Sequence, residues 1–489
     1  MNTFMNGLID ETNVGLTENG AVKHLTTKSA VLDMFALCGA YRRRSEEDCI
    51  LAFKNAYEED ATLALKCLFY LRDCRGGQGE RRFFRVCFRW LADNYPEAAI
   101  RNLNNVSEYG RWDDLIYSTI GTKVEKKALA IVAEQLALDA DCKTPSLLAK
   151  WLPSENASSK ETKKMGNIVR QALGMSHKEY RQLLSKLRTR INIVEKLMSQ
   201  NKWDEIEFDK IPSKAGLIYK NAFARRDIIA KKYEEFAKDE NKTVNASTLY
   251  PYDIAHKVFQ GYNQRIDSAD RLMIQKYWDA LPNYYGDNEE NGLAIVDTSG
   301  SMSGQPLEAA VSLGAYIAEK AYGPFAGHFI TFSQKPELIK FEGVDITDKF
   351  MRARRASWQM NTDLKAVFDM LLRVAKQKQT KAEDMPQRLY IFSDMEFDGC
   401  LSLGYSDTEG KVNTLLESIA EEWAAAGYEL PPVVFWNLDA RTQNIPALGG
   451  RFSYVSGLSP VMIETILSGK DGYDLMLAKL MSKRYDAVQ

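Results

Sequence analysis

Leu293-Ala294-Ile295-Val296-Asp297-Thr298-Ser299-Gly300-Ser301-Met302-Ser303 is an apolar run that ends abruptly in three spaced oxygen side chains. The run suits the first, central strand of an open parallel sheet. That placement puts Asp297, Ser299 and Ser301 on the loop leaving the strand's carboxyl end, where open α/β sheets carry their ligands. The i, i+2, i+4 spacing lets one carboxylate and two hydroxyls converge on one point, and Gly300 permits the tight backbone such a loop needs. Hard divalent cations take this all-oxygen company.

Asp-Thr-Ser-Gly-Ser resembles the DxSxS signature of von Willebrand factor A domains, whose metal-ion-dependent adhesion site holds Mg²⁺ or Mn²⁺. The resemblance implies two further ligands, a Thr on a second loop and an Asp after a later strand. Thr362 fills the first place, in Gln359-Met360-Asn361-Thr362-Asp363-Leu364, ahead of a helical pattern through Ala366, Val367, Met370 and Leu371. Asp394 fills the second, at the end of the strand-like Leu389-Tyr390-Ile391-Phe392-Ser393. Met360 and Asn361 stand where the family usually has glycines. Taken singly, Ser299, Ser301 and Thr362 suit helix capping; taken together and in order, the five residues fit a metal site. Few carboxylates and several hydroxyls favour Mg²⁺ over Ca²⁺, with water and a partner's acidic oxygen completing the octahedron. Glu396 and Asp398 read either as groups behind the ligands or as a solvated acidic loop.

The 489 residues are 45% apolar and 27% charged, the proportions of an ordinary soluble chain. A formal net charge of −2 confines any nucleic-acid surface to a local patch. Seven cysteines without a CxxC pair point to a reduced, cytoplasmic setting, and four scattered histidines give no zinc site. Neither a secretory signal nor an apolar run of membrane-spanning length is expected.

From Thr26 to about Lys276 the periodicity is helical, as in the stripes Val31, Met34, Phe35, Cys38 and Ile50, Phe53, Tyr57. Side-by-side helical pairs in the manner of HEAT repeats suit such a stretch, in irregular form because no fixed period recurs. The glycines of Arg72-Asp73-Cys74-Arg75-Gly76-Gly77-Gln78-Gly79-Glu80-Arg81-Arg82 follow a helix and lack the Lys-Ser/Thr of a P-loop, so this is a helix-helix turn rimmed by Arg72, Arg75, Arg81, Arg82, Arg85 and Arg89. Residues 158–190 are the most basic part: Lys160, Lys163, Lys164, Arg170, Lys178, Arg181, Lys186, Arg188 and Arg190 face only Glu161 and Glu179, with His177 interleaved. Ser158 to Glu161 and Ser176 to Glu179 read as capping boxes. Such a cluster is either a solvated helical face or the electrostatic footprint of phosphate binding. Residues 281–292 are turn-rich; beyond them strands and helices alternate, which predicts a doubly wound parallel sheet.

Phe69-Tyr70-Leu71-Arg72-Asp73-Cys74-Arg75-Gly76-Gly77-Gln78-Gly79-Glu80, the Tyr109-Gly110-Arg111-Trp112-Asp113-Asp114 turn, Ile211-Pro212-Ser213-Lys214-Ala215, Thr248-Leu249-Tyr250-Pro251 and Phe392-Ser393-Asp394-Met395-Glu396-Phe397-Asp398 together resemble the DUF2828 family of Ro-like proteins. That family is similar to the TROVE-domain proteins, in which a ring of HEAT-like helices is closed by a von Willebrand factor A domain and binds small non-coding RNAs and single-stranded RNA ends. The resemblance implies a helical HEAT-like domain over 1–285 and a von Willebrand factor A-like domain over 286–489. The expected function is a non-catalytic, monomeric RNA-binding scaffold with a Mg²⁺-dependent site for an acidic protein group. The alternative is a metal-dependent protein-interaction module without RNA. A metal-dependent hydrolase is disfavoured, because no second metal cluster and no nucleophile motif is evident.

Overall fold

The computed structural model describes residues 12–191, 193–260, 266–332, 335–355, 363–398, 414–449, 451–470 and 472–489. The chain is mostly helical, with one six-stranded sheet towards its C-terminus. It divides into two compact units. The first joins the described residues up to Ala64 with Leu249–Ser482, and the second joins Leu65–Thr248 with Lys483–Gln489. The change from helical to alternating sequence at residues 281–292 therefore falls inside the first unit.

The first unit opens with a small hairpin, β1 (Val14–Leu16) and β2 (Val22–His24). Its main sheet comprises β3 (Gly292–Asp297), β4 (His328–Phe332), β5 (Glu337–Lys340), β6 (Arg388–Ser393), β7 (Val433–Asn437) and β8 (Phe452–Ser456), in the order β5-β4-β3-β6-β7-β8. Every residue of β3, β7 and β8 is buried, which explains the uninterrupted apolar runs: strands covered on both faces have no polar side to alternate with. The sheet is mixed, not wholly parallel, because β5 pairs antiparallel to β4 at the edge. Helix Gln305–Lys320 lies so close to β3 that a Cβ on Gly314 would sit 2.5 Å from Val296 Cγ2. Two large rings anchor the far side: Trp423 and Trp436 are fully buried, and the Trp436 indole donates to the Gly457 carbonyl at 2.8 Å. Burial of such a side chain stabilises by roughly 1.5–3 kcal/mol.

The second unit is helical. Helix Arg81–Asn94 buries Phe83, Phe84, Cys87, Phe88 and Leu91, and Phe69 packs edge-on against Phe84 (5.3 Å between centroids) and Tyr109 (5.4 Å). The glycine-rich turn after Arg72 is a helix terminus, as its sequence suggests. Gln78 N donates to Tyr70 O at 3.1 Å and Glu80 N to Leu71 O at 2.7 Å, and Gly79 takes a φ of +69°. Amides committed to helix carbonyls cannot cradle a phosphate. Gly77 lies directly against the Tyr70 carbonyl, where no side chain would fit.

Beneath this turn lies a charged network. Asp114, fully buried, accepts from Arg72 Nε (2.8 Å), Arg72 Nη2 (2.6 Å), Arg85 Nε (2.7 Å) and the Arg111 amide (2.9 Å). Asp113 takes Arg85 Nη2 at 2.8 Å and Arg111 Nη2 at 2.5 Å, and these guanidinium partners hold its carboxyl below the usual range against the opposing effect of burial. Asp114→Ala would strand the buried Arg72 guanidinium. A loss of about 3–5 kcal/mol in urea unfolding is expected, against less than about 1 kcal/mol for Glu108→Ala, whose pair with Arg75 is exposed.

Candidate metal centre

Parallel pairing sets Val296 against Phe392, so Asp297 and Ser393 lie abreast at the ends of β3 and β6. Ser393 Oγ donates to Asp297 Oδ2 at 2.5 Å, and the Ser299 amide donates to Asp297 Oδ1 at 2.9 Å. Ser299 Oγ lies 3.0 Å from Ser301 Oγ across a single 3₁₀ turn, Gly300–Met302. Asp394 follows β6 directly; its Oδ1 accepts from the Glu396 amide at 3.3 Å, while its buried Oδ2 has no hydrogen-bond partner among the described residues. Four of the five sequence candidates, Asp297, Ser299, Ser301 and Asp394, thus belong to two adjoining loops, and Thr362 lies outside the described residues.

Asp297 is fully buried and Asp394 is 1% exposed. Burial, and then the charge of Asp394, push the Asp297 carboxyl up to about 7. Asp394 is likewise raised by burial, against the opposing effects of the Ser301 hydroxyl and the Arg441 guanidinium. Two carboxylates and two hydroxyls form a hard, all-oxygen donor set, and the unpartnered Asp394 Oδ2 is an acceptor with nothing to accept from, so the residues fit a small divalent cation. Among the described residues no group of three or more His, Cys, Asp or Glu gathers as a metal site would, so hydroxyls have to supply the remaining donors.

The surroundings hold what sequence alone does not reveal. Met395, directly after Asp394, has a φ of +65°, a left-handed conformation that a side chain tolerates at a cost of roughly 1–2 kcal/mol. Strain of this kind clusters at functional sites. Here it aims the Met395 amide at Ser393 Oγ (3.0 Å) and the Glu396 amide at Asp394. Glu396 is not on a solvated loop: it is 1% exposed and accepts from the Glu18 amide (2.9 Å) and Thr442 Oγ1 (2.5 Å). The β1–β2 hairpin binds the same loop, with Thr17 Oγ1 donating to Phe397 O (2.7 Å) and Asn19 Nδ2 to Glu396 O (2.7 Å). Arg441, on the loop after β7, donates to the Ser301 carbonyl. Ser393 had a signal in its place before Asp394; Arg441 had none.

The basic candidates divide by what they touch. Arg72 is 3% exposed and committed to Asp114, and Arg75 pairs with Glu108. Arg170 and His177 share Glu155 Oε1 at 2.8 and 2.9 Å. Arg188 donates to Ala149 O (2.8 Å), Leu152 O (3.0 Å) and Ser154 Oγ (3.0 Å), and Arg190 to Ala140 O (2.7 Å). These arginines tie loops to helices. Arg81 and Arg82 are exposed at the start of helix Arg81–Asn94, and Arg181, also exposed, bonds to His177 O at 3.1 Å. Lys160, Lys163 and Lys164, on helix Lys160–Ala172, and Lys178, on helix His177–Arg190, are exposed and form no ion pair among the described residues. The box Ser176–Glu179 is present, while the first helix is capped by Ser159, one residue after the expected Ser158.

Two families match the chain. The one described as "Domain of unknown function (DUF2828)" covers residues 17–128 and 146–283, and "Domain of unknown function (DUF7788)" covers residues 291–484. An uncharacterized protein of Acanthamoeba polyphaga mimivirus is 30% identical over 504 residues, spanning 94% of this chain and 85% of its own. On both the family match and this full-length similarity, the chain belongs to the DUF2828 family.

Proposed function

We propose that this protein is a non-catalytic binding scaffold of the Ro-like kind. Its α/β unit acts as a von Willebrand factor A-type module that holds Mg²⁺ (or Mn²⁺) through Asp297, Ser299, Ser301, Asp394 and Thr362 and captures an acidic group of a protein partner. Its helical unit carries single-stranded or small non-coding RNA. The observation that carries the reading is the buried Asp297–Asp394 pair with its unpartnered oxygen, facing two hydroxyls at the carboxyl edge of the sheet. A binding role fits better than a hydrolytic one, because the two acids are themselves the ligands and Glu396 is engaged by Glu18 and Thr442. That leaves, among these described residues, no further acid to serve as a base.

The RNA half rests on the exposed lysines 160, 163, 164 and 178. The neighbouring arginines, engaged within the fold, favour a second reading, a metal-dependent protein-interaction module without RNA. Extraction of nucleic acid from protein purified from its own cells at moderate salt separates the two: a discrete small RNA supports the scaffold, whereas clean protein whose partners leave on chelation supports the module.

Asp297→Ala is expected to abolish Mn²⁺ binding in calorimetry while leaving far-UV circular dichroism unchanged; retained affinity would remove Asp297 from the site. The raised Asp297 carboxyl also sets a sign for pH. Below about 7 the metal must displace a proton, so Mn²⁺ affinity is expected to rise by up to about tenfold per pH unit towards 7 and then level off. A flat profile between about pH 5.5 and 7 would contradict the buried acid pair. Charge reversal at Lys160, Lys163 and Lys164 is expected to weaken single-stranded RNA binding and to lower its salt slope by about two units. Unchanged slope and affinity would leave these lysines a solvated face.

A further inference from the structure

The loop after β7 is fixed from several sides. Ala440 N donates to Ala40 O at 3.2 Å, Arg42 Nη1 to Leu438 O at 3.1 Å, and Arg44 Nη1 to the Arg441 carbonyl. From this held backbone the Arg441 side chain crosses to the metal loop, where Nη2 bonds the carbonyl of Ser301. The side chain is 28% exposed, so the guanidinium lies at the rim of the site and not beneath it. Its buried Nε has no hydrogen-bond acceptor; the nearest carboxylate oxygen, Asp439 Oδ2, is 3.6 Å away and is already paired with Arg43 at 3.1 Å. A cation placed against the backbone of a proposed metal ligand is unfavourable for holding Mg²⁺. It becomes favourable when an anion sits between the two.

We propose that Arg441 is the second grip on the ligand of this site: one oxygen of a carboxylate completes the metal's coordination and the other accepts from the Arg441 guanidinium. The proposal rests on the metal reading above and names what that site selects. Nη2 is engaged by the Ser301 carbonyl and Nε is buried, so among the described residues Nη1 is what the guanidinium has left for a ligand. That suits the single oxygen a metal-bound carboxylate keeps free, whereas a phosphate would bring two or more further oxygens, each wanting a donor. The partner is therefore an aspartate or glutamate side chain of another protein.

The test uses the full chain with Mn²⁺ followed by electron paramagnetic resonance, in buffer alone, with acetate, and with inorganic phosphate at matched free Mn²⁺. Acetate is expected to tighten Mn²⁺ binding by about fivefold, at the low end of ordinary two-ligand coupling, and phosphate to tighten it less. Each variant is read as the fold-change that acetate produces over its own affinity in plain buffer. Arg441→Ala should lose the acetate effect, and Arg441→Lys, which keeps the charge on a differently placed donor, should show a reduced one. If Arg441 only braces the Ser301 loop, Arg441→Ala will weaken Mn²⁺ in plain buffer and keep the parent's fold-change with acetate, and the proposal fails. It fails too if phosphate acts more strongly than acetate. Loss of Mn²⁺ binding in the parent, or its survival in Asp297→Ala, brings down the metal reading itself; Asp297-dependent Mn²⁺ binding without Arg441-dependent acetate coupling brings down only the role of Arg441.

Discussion

Two acids at the ends of neighbouring parallel strands, both out of water, set the terms for the α/β unit. Unit charges about 4–6 Å apart repel by roughly 3–4 kcal/mol at an effective dielectric of 20, and a single hydrogen bond to a charged group returns only about 1.5–3. Burial, and then the charge of Asp394, accordingly raise the Asp297 carboxyl against the pull of its hydrogen bonds. The surrounding features answer that problem: the donors Ser393 Oγ and Ser299 N on Asp297, the strained Met395 that turns an amide towards Asp394, and the guanidinium of Arg441. A proton can satisfy the pair in acid; the proposed Mg²⁺ would do so above neutrality. The sheet supplies the rest, because the β3–β6 register sets Asp297 beside Ser393 and so brings Asp394, the next residue, to the same edge.

The helical unit meets buried charge differently. Arg72, Arg85 and Arg111 converge on Asp113 and Asp114, three guanidiniums on two carboxylates, so both acids are answered within the protein. Arg170, Arg188 and Arg190 likewise finish the carbonyls and carboxylates of nearby loops. A guanidinium with five donors is well suited to closing loops onto helices, and that is its main work in this unit. Along helices Lys160–Ala172 and His177–Arg190 the lysines, strongly hydrated point charges on flexible stems, stay outside. Of the basic stretch at 158–190, the part still facing solvent is mostly lysine.

Much of the α/β unit was legible because burial on both faces writes itself into sequence. The runs Leu293–Val296 and Leu389–Ser393 read as strands and are strands, and Asp297, Ser299, Ser301 and Asp394 follow from where such strands end. The edge strand β5 was not legible: three of its four residues are exposed, so it carries no apolar run. Nor was the β1–β2 hairpin, three residues to a strand, whose hold on Glu396 and Phe397 spans sequence separations of 378 and 380. No local pattern reports a contact at that range. Arg72 misleads for a related reason, since its charge suggests a rim while Asp114, forty-two positions later, draws it inside.

The pairing of Arg484 with Asp73 has a consequence for how the protein is made. Tyr485 stacks on Tyr109 and bonds Asp73 Oδ2 at 3.1 Å, and Asn102 takes the amide of Gln489 at 3.0 Å, so the helical unit draws its closing residues from the far end of the chain. Asp73 leaves the ribosome 411 residues ahead of Arg484, a wait of roughly 20–80 s at ordinary rates of synthesis. Throughout that interval a nearly finished unit presents an unanswered acid and the bare rings of Tyr70 and Tyr109. The unit is complete only when these residues arrive, after every strand of the six-stranded sheet has been translated.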